Sequence, residues 1–200
     1  MRKEKLEELN KIIEEFKTTE VFEPDIDKNE KFLTTKIRKF KLKNGKTIIR
    51  DQLYKNGKEG CSAIILPVTK SKNVLLVIQP RVFTKRGVGI ELPAGYVENG
   101  ETTIDSAKRE LREETGYEAE ELICVGSFYQ DQGCSGAINN LFVALGCEKK
   151  YDQHLDEDEF VKYFECTYDE AIELVEMGYI QGAESVLTIE KSKTIIKNNK

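Results

Sequence analysis

The sequence predicts an α/β protein in which a mixed β-sheet is flanked by a small number of helices. Three observations carry this expectation. Two near-continuous apolar runs, residues 61–68 and 74–79, read as strands at the centre of a sheet. Further strand-like segments surround them, and charged segments with helical periodicity lie between and beyond. At 200 residues and 39% hydrophobic content, the chain can bury one sizeable core and shows no internal repeat.

Taken in order, residues 2–17 place Leu6, Leu9, Ile12, Ile13 and Phe16 at helical spacing among lysines and glutamates, an amphipathic helix that packs on the domain or on a partner subunit. After Glu23-Pro24-Asp25, the β-rich stretches 32–42 and 47–54 flank Asn44-Gly45. Both turn residues tolerate positive φ, so this is a hairpin signal. Gly57 and Gly60 then punctuate the chain before the two central strands, which a polar turn at 69–73 joins. A glycine-containing loop through Gly87 and Gly89 leads into Ile90-Glu91-Leu92-Pro93-Ala94-Gly95. Thr102 and Gly116 bracket a charged helix as N-cap and left-handed terminator. Strands follow at 122–129, 138–147 and 160–166. Thr167 and Glu170 form a capping box for a helix that Gly178 ends, and a last helix starts near Ala183. The arrangement is an α+β or α/β/α sandwich, with residues 1–58 as an N-terminal helix and hairpin subdomain and 59–200 as the main domain.

Composition excludes several functions. A net charge of −5 argues against a general nucleic-acid binder, which needs a basic face. His154 is the only histidine, so H-E-x-x-H is impossible and a serine triad would depend wholly on it. The nearest approach to G-x-S-x-G, Gly133-Cys134-Ser135-Gly136-Ala137, fails at its last position, and Gly87-Val88-Gly89 does not continue as a dinucleotide loop. Cys61, Cys124, Cys134, Cys147 and Cys166 are odd in number and widely spaced, which fits reduced thiols rather than disulfides or a zinc site. The charged start of the chain and the lack of a long apolar run lead to the expectation of a cytoplasmic protein without signal peptide or membrane helix. Chemistry must then come from carboxylates.

Residues 95–117 concentrate them. At about 100° per residue, Ile104, Ala107 and Leu111 form an apolar stripe, with Glu110, Glu113 and Glu114 in the adjacent arc. Carboxylates converging at the edge of a buried stripe repel one another and lose hydration, which hard divalent cations relieve, Mg²⁺ first and Mn²⁺ as the alternative. A glutamate pair alone would be an ordinary solvated face. The wider pattern, Gly95, Glu101, Arg109-Glu110-Leu111, Glu113-Glu114 and Gly116-Tyr117, is far more specific. It matches G-x5-E-x7-R-E-U-x-E-E-x-G-U (U, bulky aliphatic) at every fixed position but the last, where Tyr117 is aromatic.

The chain therefore resembles the Nudix hydrolases, and the resemblance implies an α/β/α sandwich that cleaves the pyrophosphate of a nucleoside diphosphate derivative. By resemblance the carbonyl of Ala94 and the carboxylates of Glu110 and Glu114 bind metal, Arg109 orients the glutamates, and Glu113 is a further ligand or an acid–base partner. Residues from about 31 to 189 resemble the ADP-ribose pyrophosphatase branch. That likeness implies a homodimer in which the N-terminal strands help build the substrate pocket, contacts from Arg50, Asp51 and Arg81, and a catalytic carboxylate, Glu157 or Glu159, from the acidic stretch Asp156-Glu157-Asp158-Glu159. The loop 130–137 departs from the branch, carrying Gln132 in place of proline and Ala137 in place of a ribose-binding glutamate. ADP-ribose is thus the leading substrate among related sugar nucleotides, cleaved to a nucleoside monophosphate and a sugar phosphate with relaxed selectivity. The alternatives are a hydrolase of another nucleotide class and a non-catalytic nucleotide sensor; such sensors commonly lose box glutamates, and none is lost here.

Overall fold

A computed structural model describes residues 1–17, 33–55, 60–157 and 159–199. The Glu23-Pro24-Asp25 segment, Phe32, Gly57 and Asp158 lie outside the described residues, as does the 58/59 boundary. The elements are α1 (Lys3–Glu15), β1 (Leu33–Lys41), β2 (Thr47–Lys55), β3 (Ser62–Thr69), β4 (Asn73–Arg81), β5 (Gly87–Glu91), β6 (Ala94–Tyr96), α2 (Thr103–Thr115), β7 (Tyr117–Glu118), β8 (Glu121–Tyr129), β9 (Ile138–Lys149), β10 (Lys162–Thr167), α3 (Tyr168–Glu176) and α4 (Ala183–Asn198).

The main sheet runs β10-β4-β3-β9-β7, with β5 paired to β4, β6 to β3 and β8 to β9. Only β3 and β9 are parallel, which makes the sheet mixed. Every residue of β3 is buried because both of its faces are covered. Ala63 and Ile65 pack with Ala107 and Leu111 of α2 on one side. Ile64, Leu66 and Val68 pack on the other side in a cluster that includes residues of α1, α3 and α4. The chain is an α/β/α sandwich.

Helix α1 spends its apolar face on that second cluster, through Leu9, Ile12, Ile13 and Phe16. Phe16 also stacks on Phe160 at 4.2 Å between ring centroids, and the Lys5 ammonium reaches Glu170 at 2.7 Å. The helix thus packs on its own domain, and the hairpin parts company with it. Strands β1 and β2 form a separate two-stranded sheet whose turn is shaped by Gly45 at φ +84° and by Asn44 Oδ1, which accepts the Lys46 amide at 3.0 Å. All of β1 is exposed, and Ile37 and Ile49, 77% and 59% exposed, share one hairpin face. One backbone bond, from the Leu53 amide to the Cys134 carbonyl at 2.8 Å, ties β2 to the loop after β8.

Two local readings change. The glycine-containing segment at 87–91 is strand β5 and not a loop, because a tight turn at 82–86 folds it back onto β4 with Arg81 opposite Gly87. Ile104 is exposed, so only Ala107 and Leu111 carry the α2 stripe into the core; Ile104 sits in the first turn, short of the residues that meet β3. Strands β6 and β7 are two or three residues long, too short for a periodic signal.

The capping box of α3 forms as expected. Thr167 Oγ1 accepts the Glu170 amide at 3.2 Å, and the Glu170 carboxylate accepts the Thr167 amide at 2.9 Å. Burial alone would raise the Glu170 pKa, but Lys5 and the Thr167 amide outweigh it and hold the group down to about 2. A depressed folded-state value contributes stability above the unfolded value of 4.5 and loses it as pH falls through about 2. Glu170→Gln is therefore expected to lower stability by about 1–2 kcal/mol at pH 7. Chemical denaturation at a series of pH values should show the gap from the parent closing below pH 4.

Candidate active site

Helix α2 carries the carboxylates and short strand β6 faces them. The Thr102 cap starts the helix, accepting the Asp105 amide at 3.2 Å, and Gly116 at φ +77° ends it, donating to the Arg112 carbonyl at 2.8 Å. Gly116 has a second task. Its carbonyl accepts the Lys150 and Tyr151 amides, both at 3.0 Å, and a Cβ there would collide with the Tyr151 carbonyl. The segment beyond is fastened to the same helix end by the His154 amide on the Glu113 carbonyl at 2.9 Å, which aims the acidic stretch toward the site.

Arg109 is the hub. Its Nε and Nη2 hold Glu101 at 3.0 and 3.1 Å, its Nη1 holds Glu110 at 2.7 Å and Glu113 at 3.0 Å, and Nη2 also donates to the Tyr96 carbonyl at 3.0 Å. Glu114 turns the other way and accepts the Ala94 amide at 3.1 Å. Gly95 lies against Glu110 so closely that any Cβ would strike its carboxylate. The first glycine of the motif is thus a close-approach residue, needed for β6 to lie on the helix.

Glu110 and Glu114 are only 7% and 3% exposed. Burial pushes the Glu110 carboxyl up to about 7, against the pull of Arg109, with Glu113 and Glu159 adding repulsion. Burial and then the charge of Glu110 push Glu114 well above the usual carboxylate range, the Ala94 amide offsetting part. Both face a cavity of about 520 Å³ that Ala94, Arg109, Glu159 and Arg81 also line. Their donor set is all oxygen, and their unrelieved burial is what a hard divalent cation corrects. Among the described residues no three acidic, histidine or cysteine side chains already converge as a closed metal cage, and Glu113 is drawn to Arg109.

The structure separates the remaining expected residues. Arg81 reaches the cavity but is engaged by Glu91, with Nε and Nη2 at 2.8 and 2.7 Å from its two oxygens. Glu159 lines the cavity, while Glu157 and Glu113 do not. Arg50 and Asp51 also lie outside its wall, and as neighbours along β2 they project to opposite faces of the hairpin. Ala137 is fully buried and outside the wall; its loop contributes Gln130 instead.

A model of the NUDIX domain matches residues 59–186, nearly two thirds of the chain. The chain belongs to the Nudix family. It is 35% identical over 150 residues to an ADP-ribose pyrophosphatase of Bacillus subtilis, covering 74% of this chain and 78% of that one. It is 32% identical over 176 residues to a methanol dehydrogenase activator of Bacillus methanolicus, covering 85% and 92%. The fold matches the crystal structure of an ADP compounds hydrolase with a TM-score of 0.73 at 18% identity, over 91% of this chain and 98% of that one.

This Nudix protein is a pyrophosphohydrolase, of a family that depends on divalent metal in general. Its α/β/α sandwich is the one its motif implied, with the box as loop, helix and turn against β6. Sequence reasoning missed Lys55, Gln130, Asn139 and Ser62, which form one wall of the cavity. They lie far apart in the chain and belong to no motif; pairing of β3, β8 and β9 brings Ser62, Asn139 and Gln130 together, and the Leu53–Cys134 and Lys55–Gln130 bonds bring the end of β2 to them. Among the described residues no helix is long and apolar enough to cross a membrane.

A raised folded-state pKa makes the pH dependence of the metal-free protein predictable. The contribution of Glu110 to stability is complete below its unfolded value of 4.5 and is lost as pH rises through about 7. In chelator at pH 8, Glu110→Gln is expected to melt higher than the parent, while a divalent cation stabilises the parent more than the variant. Differential scanning fluorimetry with and without metal at pH 5 and 8 checks both signs.

Proposed function

We propose that this Nudix hydrolase cleaves the pyrophosphate of ADP-ribose or a related sugar nucleotide, releasing a nucleoside monophosphate and a sugar phosphate. The observation that carries the reading is the buried Glu110–Glu114 pair, held by Arg109 and the Ala94 amide, opening on a cavity of about 520 Å³. Likeness to an ADP-ribose pyrophosphatase supports the substrate class.

In this reading Glu110, Glu114 and the carbonyl of Ala94 would hold Mg²⁺, and Glu113, outside the cavity wall and paired with Arg109, would serve as a further ligand or proton-exchange partner only after leaving that pair. A divalent cation held there would supply Lewis-acid chemistry, offsetting phosphate charge and making water more acidic. Arg109 keeps the box glutamates from rotating into solvent and, through Glu101 and the Tyr96 carbonyl, keeps β6 on the helix. Glu159, which lines the cavity, takes the proton from water in this reading, and its place in the wall supports it over Glu157.

The exposed apolar face of the hairpin supports a homodimer in which residues of β1 and β2 cover a second copy; Arg50 or Asp51, on opposite faces, would reach a substrate only across such an interface. The free thiols suit the cytoplasm. The relative described as a methanol dehydrogenase activator supports a second reading, activation of a dehydrogenase.

With Mg²⁺, phosphomonoester release is expected from ADP-ribose above ADP-glucose, GDP-mannose and NADH, and from all four above nucleoside triphosphates. The reverse order would replace the substrate class. Glu114→Gln should cut kcat by at least about 100-fold, since outer-shell partners alone are worth about 10- to 100-fold. Activation of a methanol dehydrogenase by the parent but not by Glu114→Gln would favour the second reading with hydrolysis as its cause. Light scattering should give a dimer for the parent and a monomer for Ile37→Lys combined with Ile49→Lys; a parent monomer would remove the dimer.

A further inference from the structure

The cavity is acidic: seven carboxylates line it against three basic side chains, Lys55, Arg81 and Arg109. A diphosphate entering it needs positive charge beyond the metal, and the three cations differ in what they have left to give. Arg109 is taken up by Glu101, Glu110 and Glu113. Arg81 is taken up by a two-pronged pair with Glu91. Lys55 has no carboxylate partner among the described residues. Its Nζ donates to Gln130 Oε1 at 2.6 Å and stands 5.9 Å from the centroid of the Tyr96 ring.

That single hydrogen bond is built to hold the ammonium in place. Gln130 cannot turn its amide around, because Nε2 donates to Asn139 Oδ1 at 2.7 Å and to the Gly60 carbonyl at 3.0 Å. Asn139 in turn accepts from Ser62 Oγ. The amide oxygen therefore faces Lys55, and a neutral acceptor orients the charge without cancelling it. The ammonium has three donors and this bond uses one.

The network also has a defined distance from the carboxylates. Ser62 lies opposite both Tyr96 and Asn139, and Ile64 lies opposite Ala94, whose amide bonds Glu114. Two residues along β3 is about 7 Å. Lys55 and the Glu110–Glu114 pair thus line one cavity from neighbouring positions of the sheet, a separation that a diphosphate and its attached groups can span.

We propose that Lys55 is a side chain that binds the substrate phosphate lying away from the Glu110–Glu114 pair, with Gln130 as its positioning residue. This rests on the pyrophosphatase reading of the site. The phosphate belongs to either the nucleoside monophosphate half or the sugar phosphate half, and the two products tell these apart.

The test compares the parent with Lys55→Met, Lys55→Arg and Gln130→Leu. Equilibrium binding of AMP, ribose 5-phosphate and inorganic pyrophosphate is measured by calorimetry with Mg²⁺, and KM and kcat are measured for ADP-ribose. Lys55→Met should weaken binding of pyrophosphate and of one monoester by about 10-fold or more, and raise KM by a similar factor while kcat falls less. Lys55→Arg should recover most of the loss, and Gln130→Leu should fall between. The monoester affected identifies the half that Lys55 reads. Binding of all three probes within 2-fold of the parent in Lys55→Met would overturn the proposal, as would their failure to bind the parent. If the parent hydrolyses no sugar nucleotide, the substrate reading falls while the binding measurements still decide the role of Lys55.

Discussion

One guanidinium organises the catalytic face. Arg109 meets three carboxylates and a backbone carbonyl at once, and the contacts come from three parts of the chain: Glu101 from the loop before α2, Glu110 and Glu113 from the helix, Tyr96 from β6. Without it, Glu110 and Glu113 would repel across one helical turn, and Glu110 would be buried with no cation beside it. Lysine could not replace it, since a point charge cannot present a planar fork to Glu101 while reaching Glu110. The same contact explains Gly95, because β6 can only lie this close to Glu110 if it carries no side chain there.

The hub leaves Glu114 unbalanced. Arg109 serves Glu101, Glu110 and Glu113, whereas Glu114, the most deeply buried carboxylate among the described residues, has the Ala94 amide as its hydrogen-bond partner there. Burying a carboxylate without a cation is costly, so the fold keeps a local deficit of positive charge beside Glu114. Across the cavity, Arg81 and Lys55 show two further ways of handling charge. One is neutralised by Glu91, while the other is oriented by an amide and keeps its charge.

The fold was legible wherever a physical period or a cap had a single solution. Thr102, Gly116, Thr167 and Glu170 bracket their helices as local chemistry dictates, because caps depend on a few neighbouring residues. The continuous apolar runs of β3 and β4 could only be central strands. Segment 87–91 was misread for the converse reason. Its glycines are local loop signals, but β4 offers an edge to pair with, and pairing outweighs local preference. Helix α1 could have covered its own domain or another copy, since amphipathicity says that a face is buried and not by what.

By itself the sequence determined the family, the sandwich and the box, because those depend on spacings within 23 residues that a helix converts directly into a shared face. Tertiary structure alone decided which charged residues share the cavity. Glu159 is in its wall and Glu157 is not, two residues apart in one loop; Arg81 is there but neutralised. Lys55 and Gln130, 75 residues apart, meet where β2 ends and β8 gives way to the following loop. A charge acts over a few ångströms, and a sequence specifies such distances only within one helix or strand. Between elements they are set by strand register and by the way the core packs.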